Sequence, residues 1–191
     1  MQTMNPTKIA LLDLAEDILQ TKSFANVSFQ TLAKGVGIKK GSVYYHFESK
    51  EELGEAILDR AMALLKQSLK DIESEPIAKQ LHVYTNWFAK HIGAAEKLCP
   101  GASFAASWDA VTPSTRKKVE QLYELHKMSL SKIIQRGRNE GAFAVTDKSP
   151  ESLSTLVFAL LQGGLLASRV SQDKEEFAQC KALALQLVKT G

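Results

Sequence analysis

Between Ser28 and Leu53 the chain reads SFQTLAKGVGIKKGSVYYHFESKEEL, and its glycines divide the stretch into helices too short and too basic to serve as ordinary core. Ser28 can cap a helix running through Val36, Gly37 can turn the chain, and Lys39 to Phe47 can form a second short helix. Ala33 is small where two helices must approach, Gly37 follows four residues on, and Val43 points back into the core, which is the spacing of a helix-turn-helix. Two short helices set at an angle make a unit able to read DNA.

The charge distribution agrees. A net charge of +3 over 191 residues says little, but residues 1–50 hold six lysines against four acidic side chains, and Glu48 is the only acid from Val27 to Lys50. The other 141 residues carry 18 basic and 17 acidic groups, so the excess sits where a phosphate backbone would lie. With 45% hydrophobic residues the chain can bury one large core or two small ones. No apolar run approaches the roughly 20 residues of a membrane span. The start, MQTMNPTKIA, lacks the basic-then-apolar order of a signal peptide, so a cytoplasmic protein with no membrane partner is expected. Cys99 and Cys180 are too few and too far apart for a disulfide framework, and no paired metal-ligand spacing occurs. No phosphate loop, nucleophile elbow or carboxylate pair follows Ile77, so neither a catalytic set, a cofactor nor a metal is expected.

Caps mark the remaining helices. Asn5-Pro6 starts a first helix with Leu11, Leu12, Ala15, Ile18 and Leu19 inward, and Phe24 folds back as core. Ser49-Lys50-Glu51-Glu52 is a capping box that opens a helix of about five turns, too long for a small head to cover. It is expected to leave the head, enter a second domain and break at Ser74-Glu75-Pro76. This divides the chain into a head over 1–48 and a helical domain over 49–191, joined by a connecting helix over 49–73.

The run from Gly37 to Phe47, GIKKGSVYYHF, followed by Ser49-Lys50-Glu51-Glu52-Leu53, resembles the DNA-binding domain of the TetR family of bacterial transcriptional regulators, with similarity from about Ile9 to Leu58. The resemblance implies an all-α protein: a three-helix head containing the helix-turn-helix, then a helical domain for ligand binding and dimerisation. It implies that the Lys39 to Phe47 helix enters the major groove, with Lys40, Gly41, Ser42 and Tyr45 near bases. Ser28, Tyr44, His46 and Lys50 would hold phosphates. The family often carries Ser or Thr where this chain has Lys39. Lysine, tyrosine and glycine suit these tasks as phosphate or guanine donor, stacking donor and close-approach backbone. One of the two tyrosines could equally be partly core, and His46 alone could be a surface or packing residue.

Beyond Pro76 the helices carry aromatic residues at helical spacing. Leu81, Tyr84, Trp87, Phe88 and His91 share one face, and Phe104 and Trp108 lie four apart on the helix that Cys99-Pro100 would start. Such residues can be plain core. In TetR-like regulators the region is hollowed into an inducer pocket, which here would use Trp87, His91, Cys99, Phe104, Trp108 and Tyr123, with His126 and Leu130 able to close it. Cys99 has two readings: a thiol made reactive by a helix N-terminus and nearby Lys97, or a buried, inert one. Some TetR-like regulators carry a cysteine there, and a few of those respond to electrophiles or oxidants.

Thr112-Pro113 and Gly141 bound the next helix, whose basic Arg116, Lys117 and Lys118 suggest a solvated face or an acidic neighbour. Ser149-Pro150 opens another. Its stripe includes Leu156, Leu160, Gly163 and Gly164, and the last helix presents Leu183 and Leu187. A glycine pair inside a helix suggests close approach by another helix, and the family expectation is a two-fold four-helix interface. The implied partners are a double-stranded, palindromic DNA operator, a small-molecule inducer and a second copy of the chain. The alternatives from other classes are a thiol enzyme built on Cys99 and an architectural protein that binds DNA without sequence choice.

Overall fold

The structure, a computed structural model, describes residues 5–90 and 95–189, and of Lys90 the backbone alone. His91 lies outside the described residues. All regular elements among the described residues are helical. The chain packs as two compact units, Met1–Met62 with Pro100–Leu122, and Ala63–Cys99 with Tyr123–Gly191.

In the first unit, α1 (Pro6–Thr21) starts where Asn5 accepts the Thr7 N–H at 2.9 Å, with Pro6 in the first turn. Its inward face buries Leu11, Leu12, Ala15, Ile18 and Leu19. A 3-10 turn, Phe24–Asn26, delivers Phe24 to the core. α2 (Phe29–Val36) is capped by Ser28, whose Oγ accepts the Thr31 N–H at 3.1 Å. It ends at Gly37, where φ is 76° and the Gly37 and Ile38 amides both close on the Ala33 carbonyl. α3 (Lys40–His46) follows from an extended Lys39 and anchors itself through Val43, which is fully buried.

α4 (Lys50–Asp71) begins in the first unit and ends in the second. Ser49 Oγ accepts the Glu52 N–H at 3.1 Å, but the Glu52 carboxylate reaches one residue beyond the expected box, to the Glu48 N–H at 2.6 Å. Arg60 ties α4 to α1 through Asp13 at 2.6 Å and through Glu16. α6 (Pro100–Ala105) also belongs to this unit and packs on α1. It stops at Ala105, and Trp108 opens a separate 3-10 turn, Trp108–Ala110, so the expectation that Phe104 and Trp108 share a helix is corrected. The reversal around Ser107 ends the helix without a glycine or proline to announce it. α7 (Pro113–Asn139) carries Lys118 to Asp59 at 2.6 Å and Arg116 to the Trp108 carbonyl at 2.9 Å, so this basic cluster does meet acidic and carbonyl neighbours.

The second unit holds α5 (Ile77–Lys90), the C-terminal part of α7, α8 (Pro150–Ser171) and α9 (Lys174–Lys189). α8 and α9 pair closely. A Cβ on Gly164 would fall 2.8 Å from Cys180 Cβ and 3.2 Å from the Phe177 ring, so the chain's own α9 makes the close approach there. Gly163 faces open space. α8 is long and apolar enough to cross a bilayer, which corrects the expectation that no run approaches that length. Half of its circumference is core: Leu153, Val157, Leu161 and Leu165 are buried, and such a helix in a water-soluble fold passes the same length test.

Gly137 gives a stability prediction. A Cβ there would lie 2.0 Å from the buried Phe143 ring, which folds back after Gly141 takes φ 69°. Gly137→Ala should displace that ring and cost about 1–3 kcal/mol, read as a lower denaturant midpoint at unchanged slope. An unchanged midpoint would mean that the ring relaxes freely.

Candidate nucleic-acid interface and regulatory-domain site

Because Val43 and Phe47 are the residues by which α3 is buried, the rest of that helix turns outward. Lys39, Lys40, Gly41 and Ser42 are exposed, Tyr44 is 51% exposed and Tyr45 85%, and His46 is half-buried. Tyr44 leans edge-on against Phe29 at 4.8 Å, so it is the tyrosine with a share in packing, while Tyr45 meets His46 at 5.3 Å. Ser28 uses its oxygen as a cap, and α2 presents its first-turn amides beside it. An open groove is lined by Ser28, Gln30, Lys40, Tyr44 and Lys50, which brings residues from α2, α3 and α4 to one surface. Gln30 was not singled out in the sequence; its one signal is its place in the first turn after Ser28.

Lys50 differs from the other lysines of this face. Its ammonium donates to the Ala25 carbonyl at 3.4 Å and lies 4.6 Å from the Phe24 ring centroid, and partial burial lowers its pKa. Gly41 differs too. A Cβ there meets nothing within 4 Å, so no internal contact requires glycine.

In the second unit, the residues proposed for ligand contact fall partly together. Cys99 is buried and its Sγ donates to Gln162 Oε1 at 3.2 Å. Trp87 packs at 5.5 Å from His126, and Tyr123 stands edge-on to Phe158 at 5.1 Å. Tyr84 shares a hydrogen bond of 3.1 Å with His126 Nδ1, and His126 stacks on Phe158 at 5.1 Å. Burial depresses the His126 pKa to about 3, so the imidazole is neutral. Burial, with a smaller contribution from Cys99, pushes Tyr123 up to about 12 and raises Tyr84 as well. Phe158 and Gln162 complete this cluster and were not named from the sequence, while Tyr84, placed there on the aromatic face of its helix, was not among the residues expected to touch a ligand. Phe104 and Trp108 belong to the first unit, where Phe104 packs on Phe24 at 4.8 Å and Trp108 lies 5.5 Å from the Arg116 guanidinium. On α8 and α9, Leu156 and Leu183 are exposed, Leu160 and Leu187 half-buried, Gly163 exposed and Gly164 buried.

Comparison with known proteins accords with this geometry. The transcriptional repressor DhaR of Mycobacterium sp. (strain GP1) is 21% identical over 175 residues, spanning 91% of this chain and 88% of its own. Among solved structures, a TetR-family regulator from Agrobacterium tumefaciens superposes with a TM-score of 0.88 at 18% identity, over 96% of this chain and 98% of that one. A TetR regulator from Legionella pneumophila gives 0.86 at 24% identity, over 99% and 100%. The family of bacterial regulatory proteins named for tetR matches residues 11–57, and a tetracyclin repressor-like C-terminal domain matches residues 76–183. The second match alone spans more than half of the chain, and the first falls on the outward-facing helix and its supports: this protein belongs to the TetR family of transcriptional regulators.

Proposed function

We propose that the protein is a ligand- or electrophile-responsive repressor that binds a palindromic operator as a homodimer and is released by a small molecule held in its helical C-terminal domain. The observation that carries the reading is the acid-free outer face of α3, with Lys39, Lys40, Gly41, Ser42 and Tyr45 all exposed beside the capped start of α2. In this reading residues 1–48 form the head, 49–73 connect it, and the dimer sets two α3 helices in successive major grooves, roughly 34 Å apart. Repression rather than activation is supported by the similarity to DhaR, a repressor, along most of the chain. Ligand must bind the form that does not hold DNA more tightly, since otherwise it shifts nothing. The protein acts where the DNA is, in the cytoplasm.

Selection of bound sequences from a random DNA pool tests the core of this. A repeated, inverted half-site is expected, and its complex should survive salt at which unrelated DNA is lost. Recovery of no preferred sequence, or of one unrepeated half-site, would count against it. A screen for compounds that release the selected DNA should include electrophiles, with Cys99→Ser as the comparison: a variant released by the same reagents at the same doses removes Cys99 from the response.

Gly41 supplies a sharper local test. An added methyl group meets no protein atom, so Gly41→Ala should keep or raise the melting temperature, by the equivalent of at most about 1 kcal/mol. Operator affinity should nevertheless fall about tenfold, as one close contact worth about 1–3 kcal/mol is lost. Unchanged affinity would remove the backbone of α3 from the DNA surface.

A further inference from the structure

Lys50 is held by contacts that lead, residue by residue, to α6. Its ammonium rests over the Phe24 ring and against the Ala25 carbonyl, at 4.6 Å and 3.4 Å. The same ring is buttressed by Phe104, with centroids 4.8 Å apart and planes tilted by 55°. Phe104 is completely buried and sits on α6. Both rings seat over Gly54, one helical turn after Lys50 on α4: a Cβ there would come within 2.8 Å of Phe24 and 3.3 Å of Phe104. The absence of a side chain at Gly54 is therefore what admits the aromatic pair to the same face of α4 as Lys50.

We infer that Phe104 is a positioning residue for DNA binding: through Phe24 it holds Lys50 at the edge of the groove lined by Ser28, Lys40 and Tyr44. The inference rests on the reading of this groove as a phosphate-binding surface. A free lysine side chain has four rotatable bonds, and fixing it on DNA costs conformational entropy; a ring and a carbonyl that already hold it reduce that cost. The ring face also attracts the cation directly. Withdrawal of α6 removes the buttress, lets the Phe24 ring turn and releases Lys50 to solvent. α6 thus has a lever on the head in addition to the α4 helix, and it begins at Pro100, the residue after Cys99.

The test is a double-mutant cycle on operator affinity, measured across a salt series with wild type, Lys50→Gln, Phe104→Leu and the double variant. Lys50→Gln should weaken binding and reduce the slope of log affinity against log salt by about one. Phe104→Leu, which keeps a buried apolar side chain, should weaken binding by about threefold or more and lower the slope in the same direction. In the Lys50→Gln background it should change affinity by less than about twofold, because the coupled partner is already gone. Phe24→Leu serves as the second variant, with the same expected pattern, should Phe104→Leu melt below the assay temperature. Equal losses in both backgrounds, or an unchanged salt slope, would reduce Phe104 to core packing and overturn the proposal. Lys50→Gln with wild-type affinity and slope overturns it as well while leaving the repressor reading intact, whereas a wild-type protein with no preference for its selected DNA overturns that reading and this proposal together.

Discussion

In the proposed homodimer, Leu166→Glu combined with Leu183→Glu should separate the two copies and weaken binding to a palindromic operator by at least about a hundredfold. The inward side of α8 is occupied by Leu153, Val157, Leu161 and Leu165. Its opposite side runs through Leu156, Leu160, Gly163, Leu166 and Val170 at helical spacing, with Leu166 55% and Val170 80% exposed. Leu183 of α9 is 54% exposed, and the open space over Gly163 leaves room for another backbone to approach. A contiguous apolar stripe of this kind marks an association surface, and two carboxylates placed on it would be buried without partners. Once the copies separate, the second head no longer binds as an intramolecular event, and the effective-concentration gain of about 10²–10⁴ is lost. Sedimentation shows the oligomeric state, and titration of half-site and full-site DNA shows the affinity. Equal binding to both DNAs by the variant, with full-site affinity near the half-site value of wild type, is the expected pattern. A variant that stays dimeric would place the interface elsewhere.

The head was legible in the sequence because local chemistry determines it. Asn5, Ser28 and Ser49 cap the helices they were expected to cap, Gly37 takes the positive φ of the turn, and Val43 is buried. What escaped depends on partners distant in sequence. The four-residue spacing of Phe104 and Trp108 fits a helix, but Ala102 to Trp108 contains no breaker, so nothing local shows that α6 ends at Ala105. The Gly163-Gly164 pair signalled a close approach without saying whose: Gly164 admits the chain's own α9, and Gly163 looks outward. α8 is apolar around nearly its whole circumference, so periodicity alone could not divide core from surface, and Leu166 and Val170 went unnamed. Lys50 was placed at the phosphates by the family resemblance, whereas the aromatic pair beneath it is assembled from residues 24 and 104 and has no signature in either segment.

Acidification should destabilise the protein through His126 by about 2 kcal/mol between neutral pH and pH 5. The imidazole is almost fully buried among Trp87, Phe88 and Phe158, and its Nδ1 is paired with Tyr84, which carries no charge that could stabilise an imidazolium. Burial depresses its folded-state pKa to about 3, against about 6.5 for an unfolded histidine. The unfolded chain therefore takes up a proton that the folded chain refuses throughout the window between these values. The stabilising contribution is complete above pH 6.5 and is lost as pH falls toward 3, at about 1.4 kcal/mol per unit. Urea unfolding at pH 7.5 and pH 5.0 should show this as a loss about 2 kcal/mol larger in wild type than in His126→Phe, which cannot titrate and retains an aromatic ring in the stack. Equal losses in the two proteins would mean that the imidazole gains a proton without unfolding. The same pKa bears on the proposed inducer: between pH 6 and 8 the Tyr84–His126 pair is neutral, so the affinity of a ligand seated against it should not vary with this histidine's charge over that range.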